Sequence, residues 1–131
     1  MKKAPDIELD IRAECRVYPS EDSAKVIVAV KNILSNCVTE LTDSKILAVS
    51  KNPESLSKIY QHARSRAILG VFRRVLEHNT IGNSTWFYLN KQAAFVGIVS
   101  ICEEESESPL GPIKVTLTST QLQLIINWLV S

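Results

Sequence analysis

Two stretches of this 131-residue chain hold side chains whose types and spacing suit nucleic-acid or phosphate chemistry. The first runs from Ala63-Arg64-Ser65-Arg66 to Arg73-Arg74. A planar guanidinium donates two parallel hydrogen bonds to a phosphate, which makes Arg64, Arg66 and Arg73 the candidate phosphate contacts. On a helical wheel Arg64 and Arg74 fall within or beside the apolar arc, so each must pair, snorkel or reach a ligand. The structural alternative is an ion pair with Glu77 or with an acid of the first strand. The second stretch is Trp86-Phe87-Tyr88-Leu89-Asn90-Lys91-Gln92-Ala93-Ala94. Here Trp86 and Tyr88 suit base stacking, and Asn90, Lys91 and Gln92 suit hydrogen bonds to bases or phosphates. The alternative puts the aromatics in the core and the polar triplet in a turn joining two strands. Three consecutive aromatics cannot all face one side of a strand. A functional triplet requires Asn90, Lys91 and Gln92 to lie on the surface at the end of a strand pair, within reach of Arg64 or Arg73, because an anion site needs converging donors.

Other chemistry finds little support. The chain has no GxxxxGK[ST], GxGxxG, HExxH or GxSxG pattern. Glu103, Glu104, Glu105 and Glu107 crowd one loop, where carboxylates are more often solvated than paired for acid-base work. His62 and His78 lie on or just beyond the basic helix with no nucleophile in view. Cys15, Cys37 and Cys102 are widely separated and complete no metal pattern with the histidines, which suits small buried residues in a reducing compartment. No catalytic residue, metal ligand or cofactor is therefore assigned. The net charge is +1, distributed as −2 over residues 1–44, +6 over 45–91 and −3 over 92–131. A basic middle between acidic ends suggests one positive face.

The elements that must position these residues follow from periodicity. Alternation from Asp6 to Tyr18 predicts a strand with Ile7, Leu9, Ile11, Ala13, Cys15 and Val17 buried and Glu8, Asp10, Arg12, Glu14 and Arg16 wet, the habit of an antiparallel sheet. A helix is predicted over 21–34, capped by Ser20, and short strands or a hairpin over 37–42 and 45–49. Asn52-Pro53 starts a helix that runs to Glu77, with a break or kink expected near Gly70. Strands are predicted over 85–89, 95–101 and 113–117. A last helix, capped by Ser119 or Thr120, carries Leu122, Ile125, Ile126, Trp128, Leu129 and Val130 and must be buried in the core or against a partner. The size suits one α+β domain spanning 1–131, a mainly antiparallel sheet with helices packed on one side. No apolar run approaches the roughly 20 residues that cross a bilayer, and no signal peptide opens the chain, so a cytoplasmic location is expected.

Four segments carry a likeness to a known family: Tyr18-Pro19-Ser20-Glu21-Asp22 with Lys25-Val26; Ala63-Arg64 through Ile68-Leu69 to Arg73; Tyr88 through Gly97; and Ser108-Pro109-Leu110-Gly111-Pro112-Ile113. With them the chain resembles the archaeal family numbered two hundred and one among uncharacterised protein families, whose members are commonly described as RNA-binding domain proteins. The resemblance implies a fold like that of the ribosomal protein that contacts 5S RNA, a dimeric state, and no established reaction. The family pattern of Arg-Ile-Leu-Asp in the long helix is Ala67-Ile68-Leu69-Gly70 here. Neighbouring Arg66 stands in for the arginine, and the acid is missing.

These observations give a first expectation of an RNA-binding, non-enzymatic homodimer. Arg64, Arg66 and Arg73 would hold phosphates, and Asn90, Lys91 and Gln92 would touch bases or backbone. An interaction or assembly module using the last helix or an edge strand is the alternative. An enzyme on a phosphorylated small molecule, using the same arginines and Lys91, is a weaker one.

Overall fold

A computed structural model of the chain describes residues 2–131. The alternating segment forms β1 (Asp10–Arg16), with Ile11, Ala13 and Cys15 buried and Arg12 and Arg16 exposed. It is shorter than the alternation because its neighbours end first. Pairing starts at Asp10 against Thr118 on one side and at Ile11 against Ser50 on the other, which leaves residues 6–9 without a ladder. After α1 (Ser23–Ile33) come β2 (Val38–Thr42) and β3 (Lys45–Ser50), the expected hairpin. A 3-10 turn over Pro53–Leu56 leads into α2 (Ser57–Ser65) and α3 (Leu69–His78). Then follow β4 (Ser84–Leu89), a five-residue α4 (Lys91–Phe95), β5 (Ile101–Cys102), β6 (Ile113–Thr118) and α5 (Leu122–Val130).

All strand pairs are antiparallel, in the order β2-β3-β1-β6-β4-β5. The inward residues of β1, β3, β4 and β6 join the helices in one apolar cluster that includes Phe72, Leu76, Phe87, Leu117 and Ile125. The architecture is therefore the expected α+β class. Among the described residues no helix is long and apolar enough to cross a membrane. The last helix is buried within this chain: Ile125, Ile126, Trp128 and Leu129 are core, and Leu124 alone of its large apolar residues is exposed.

Several expectations need correction. Of the stretch from Phe95 to Ile101 only Ile101 lies in a strand, at the start of β5. Asn90 caps α4, its Oδ1 accepting from the Ala93 amide at 2.9 Å, and Gly97 at φ +80° turns the chain out of the helix. The cap of α1 is Asp22 rather than Ser20. The long helix breaks near Gly70 as expected, but the residue that turns is Ala67, three positions earlier. Ala67 adopts φ +55°, its amide bonds Arg64 O at 3.2 Å, and the Ile68 amide bonds Ala63 O at 3.0 Å. This is the Schellman ending, with alanine where glycine is the usual occupant. Gly70 sits inside α3 with open space where a Cβ would lie.

Two substitutions check this geometry. Ala67→Gly removes the left-handed strain and stabilises by about 1 kcal/mol. Gly70→Ala stabilises by a similar amount, about 0.5–1 kcal/mol, through helix propensity. Urea midpoints measured at constant slope read both changes.

Candidate nucleic-acid interface

Three of the four segments that carry the family likeness meet at Lys91. This side chain is only 3% exposed. Its Nζ donates to Arg16 O at 3.0 Å, Leu110 O at 2.6 Å and the Glu21 carboxylate at 3.0 and 3.1 Å, and lies 5.6 Å from the centre of the Tyr18 ring. Glu21 also accepts from the Tyr18 amide at 2.9 Å. Consecutive left-handed residues, Leu110 at φ +62° and Gly111 at φ +82°, shape the turn that presents the Leu110 carbonyl. The Lys91 amide donates to Ser108 Oγ, which donates to Gly111 O. Lys91 therefore does not lie on the surface, contrary to the expectation for an RNA contact. A buried ammonium is tolerable because three acceptor groups take its three protons and a carboxylate balances its charge. Of the flanking residues, Asn90 is the α4 cap and Gln92 is exposed.

The fourth segment clasps the end of α5. A helix leaves its last four carbonyls without partners. Here Arg64 donates to Trp128 O at 2.8 Å, Leu129 O at 3.0 Å and Ser131 O at 2.7 Å, and Arg73 donates to Val130 O at 3.3 Å. Ser131 Oγ bonds Asn127 O. Arg64 also lies 3.4 Å from the centre of the Tyr60 ring, which stacks on Trp128 at 4.5 Å. Both cations suit the negative end of the α5 dipole. The Schellman turn at Ala67 lets α2 and α3 each send one arginine to this end. Arg73 pairs with Glu77 at 3.6 Å, and Arg74 pairs with Glu103. The two groups do not converge: the hydrogen bonds of Lys91 go to Arg16, Glu21 and Leu110, and those of Arg64 and Arg73 to the last turn of α5.

The basic middle of the chain thus makes no single positive face. Lys45 and Lys51 pair with Glu14 and Asp10, and Arg64, Arg73, Arg74 and Lys91 are bonded as above. Lys58, Arg64 and the exposed Arg66 are the cations of residues 45–91 that enter no ion pair among the described residues, and of these Arg64 is taken up by main-chain oxygens. The glutamate loop is internally bonded. Glu107 accepts from the Glu103 and Glu104 amides, and Glu105 accepts from the Tyr88 hydroxyl at 2.8 Å. No group of three or more metal-binding side chains forms among the described residues. The three cysteines are free, and burial pushes the Cys15 thiol up to about 11.

A different surface emerges on the outward side of the sheet. Register aligns Trp86, Thr116, Arg12 and Val49 in one row and Tyr88, Lys114, Glu14 and Leu47 in the next. No residue on these outward positions belongs to the buried core. Lys114 Nζ lies 5.0 Å from the centre of a Trp86 ring, and the Trp86 and Tyr88 rings are 4.8 Å apart, tilted by 56°. Arg12 and Arg16 enter no ion pair among the described residues and, with Lys45, line a groove of about 540 Å³. Burial and the bond to Glu105 push the Tyr88 phenol up to about 12, so it stays neutral. The bond from Lys45, opposed by burial, holds the Glu14 carboxyl below its ordinary value. Sequence reasoning passed over Arg12, Arg16 and Lys114 as a site, although their alternation with buried neighbours already placed them on the wet face.

This one-sheet α+β architecture accompanies a match to the family model described as RNA binding, over residues 10–119. The chain is 45% identical over 120 residues to a UPF0201 protein of Sulfurisphaera tokodaii, covering 88% of this chain and 83% of that one. It is 34% identical over 124 residues to a UPF0201 protein of Thermococcus kodakarensis, covering 92% and 88%. The crystal structure of a UPF0201 protein from Methanococcus jannaschii superposes with a TM-score of 0.80 at 29% identity, covering 92% of each chain. The chain belongs to this archaeal family.

The clasp makes a prediction that separates folding from binding. Lys91→Ala leaves the Glu21 carboxylate buried without its partner and costs about 3–5 kcal/mol. Lys91→Met combined with Glu21→Met costs less than Lys91→Ala. Asn90→Ala removes a helix cap and costs about 1 kcal/mol. Chemical denaturation of the four proteins checks the order.

Proposed function

We propose that this chain is an RNA-binding module that acts without catalysis, as a cytoplasmic homodimer. The single observation carrying the reading is the uncovered sheet face, which carries Arg12, Arg16 and Lys114 together with Trp86 and Tyr88. The family model's description supports it. Of the six residues expected from sequence, Arg66 and Gln92 keep exposed side chains and are retained as direct contacts to a longer RNA. Arg64, Arg73, Asn90 and Lys91 act through the fold that presents the face. Self-association is supported by exposed apolar side chains where α4 gives way to β5, namely Phe95, Val96 and Ile98. Light scattering tests it: about two chain masses at micromolar concentration supports the dimer, and one chain mass overturns it.

Phosphate contacts release counterions, so affinity should fall with salt. Three such contacts to a single strand give a log-log slope of about −2, or a loss of about 20-fold between 50 and 200 mM salt. Arg12→Glu with Arg16→Glu weakens binding to all sequences alike. Filter binding with total cellular RNA measures both. Binding indifferent to salt and to these reversals would falsify the reading.

A further inference from the structure

We propose that the outward sheet face takes an unpaired RNA strand, with bases stacked on Trp86 and Tyr88 and phosphates led across β6 and β1 into the Arg12–Arg16 groove. The inference rests on the RNA-binding reading and adds the class of RNA and the manner of its recognition.

The core does not explain these two aromatics. Phe87, between them, points inward and meets Phe72 edge to face at 4.9 Å. Trp86 and Tyr88 point the other way and stay half-exposed. Around Trp86 the neighbouring side chains are short. Thr116 lies directly across on β6, and Ser84 and Thr118 share a 2.8 Å hydroxyl bond one row away. The indole thus rises from a low floor of hydroxyl groups. Its long neighbours are Tyr88, 4.8 Å away ring to ring, and Lys114, whose ammonium rests near the ring. An arriving base replaces that cation on the ring, and the released ammonium meets the adjoining phosphate. Tyr88 is fixed by its bond to Glu105 and presents a neutral ring.

From Trp86 the same row reaches Thr116 and then Arg12. Two strand spacings make about 10 Å, the span of about three stacked nucleotides. Arg12 and Arg16 stand at the end of that path, and the groove they line continues toward β3. A stacking ring and a cation, Trp86 and Arg12, therefore share one row, with Arg16 beyond Glu14 on the same side of β1 and Asp43 also lining the groove. A duplex cannot use this row, because its bases are stacked on one another and only splayed bases meet an aromatic platform. Stacking is tolerant of sequence, so the face selects unpaired RNA rather than a particular sequence.

The experiment titrates the 131-residue chain with a fluorescent 12-nucleotide oligouridylate and with a 12-base-pair RNA duplex. The expected result is at least 10-fold tighter binding of the single strand. Emission from Trp86 should be quenched, while the Trp86→Phe protein, reporting only from buried Trp128, should show no quench. Trp86→Ala weakens single-strand binding at least about fivefold, and Trp86→Phe retains most of it. Equal binding of both RNAs with unchanged Trp86 emission overturns the inference and leaves RNA binding standing. Binding of neither RNA removes the underlying reading as well. A two-chain mass for the native protein that falls to one chain in Trp86→Glu assigns the face to a second copy and overturns the inference.

Discussion

The bond between Lys91 and Glu21 ties together parts of the chain that the sheet alone does not join. Glu21 lies at the entry to α1, Lys91 at the start of α4, and Leu110 in the loop before β6. An ammonium removed from water must find acceptors in every direction it can donate, and each acceptor then fixes the segment that carries it. The end of β1 is held through Arg16 O, so the groove-lining Arg16 owes its place to the same lysine. The strength of the clasp and the exposure of the sheet face are two sides of one arrangement: polar groups that look like ligand contacts in the sequence are turned inward, and the face is left to other residues.

A second clasp holds the end of α5. Arg64 and Arg73 satisfy carbonyls at the end of α5, while Tyr60 and Trp128 form a stacked base beneath Arg64. The guanidinium here does to main-chain oxygens what it would do to phosphate oxygens, offering a planar fork to several acceptors. That chemical equivalence explains why arginine spacing alone did not distinguish a ligand contact from a helix cap.

The fold was legible where one local pattern decided the matter. Strict alternation specified β1 and its wet side, and dense apolar content marked α5 as buried. It was illegible where tertiary register decided. Phe95-Val96-Gly97-Ile98-Val99 has the composition of a strand, but the cap at Asn90 starts a helix just before it and the turn at Gly97 stops any extension. Ala67 carries no glycine signal, yet it is the residue that turns left-handed. For the site, Trp86 and Tyr88 were visible as stacking candidates. Their cationic partners were hidden because charge was weighed along the chain, whereas the sheet order sets Arg12 from β1 and Lys114 from β6 beside them.

That same sheet order governs when the protein can exist. The middle of the sheet pairs β1 with β6, joining Asp10 to Thr118. A ribosome adding about 5–20 residues per second needs roughly 5–20 s between delivering one partner and the other. Until then β1 lacks one of its two neighbours, and the β2–β3 hairpin can cover only the other side. The pairing of β1 with β6 is therefore a late, non-local closure, the slow kind of folding event. During that interval the edge of β1 that will pair with β6 presents unpaired backbone groups to other chains.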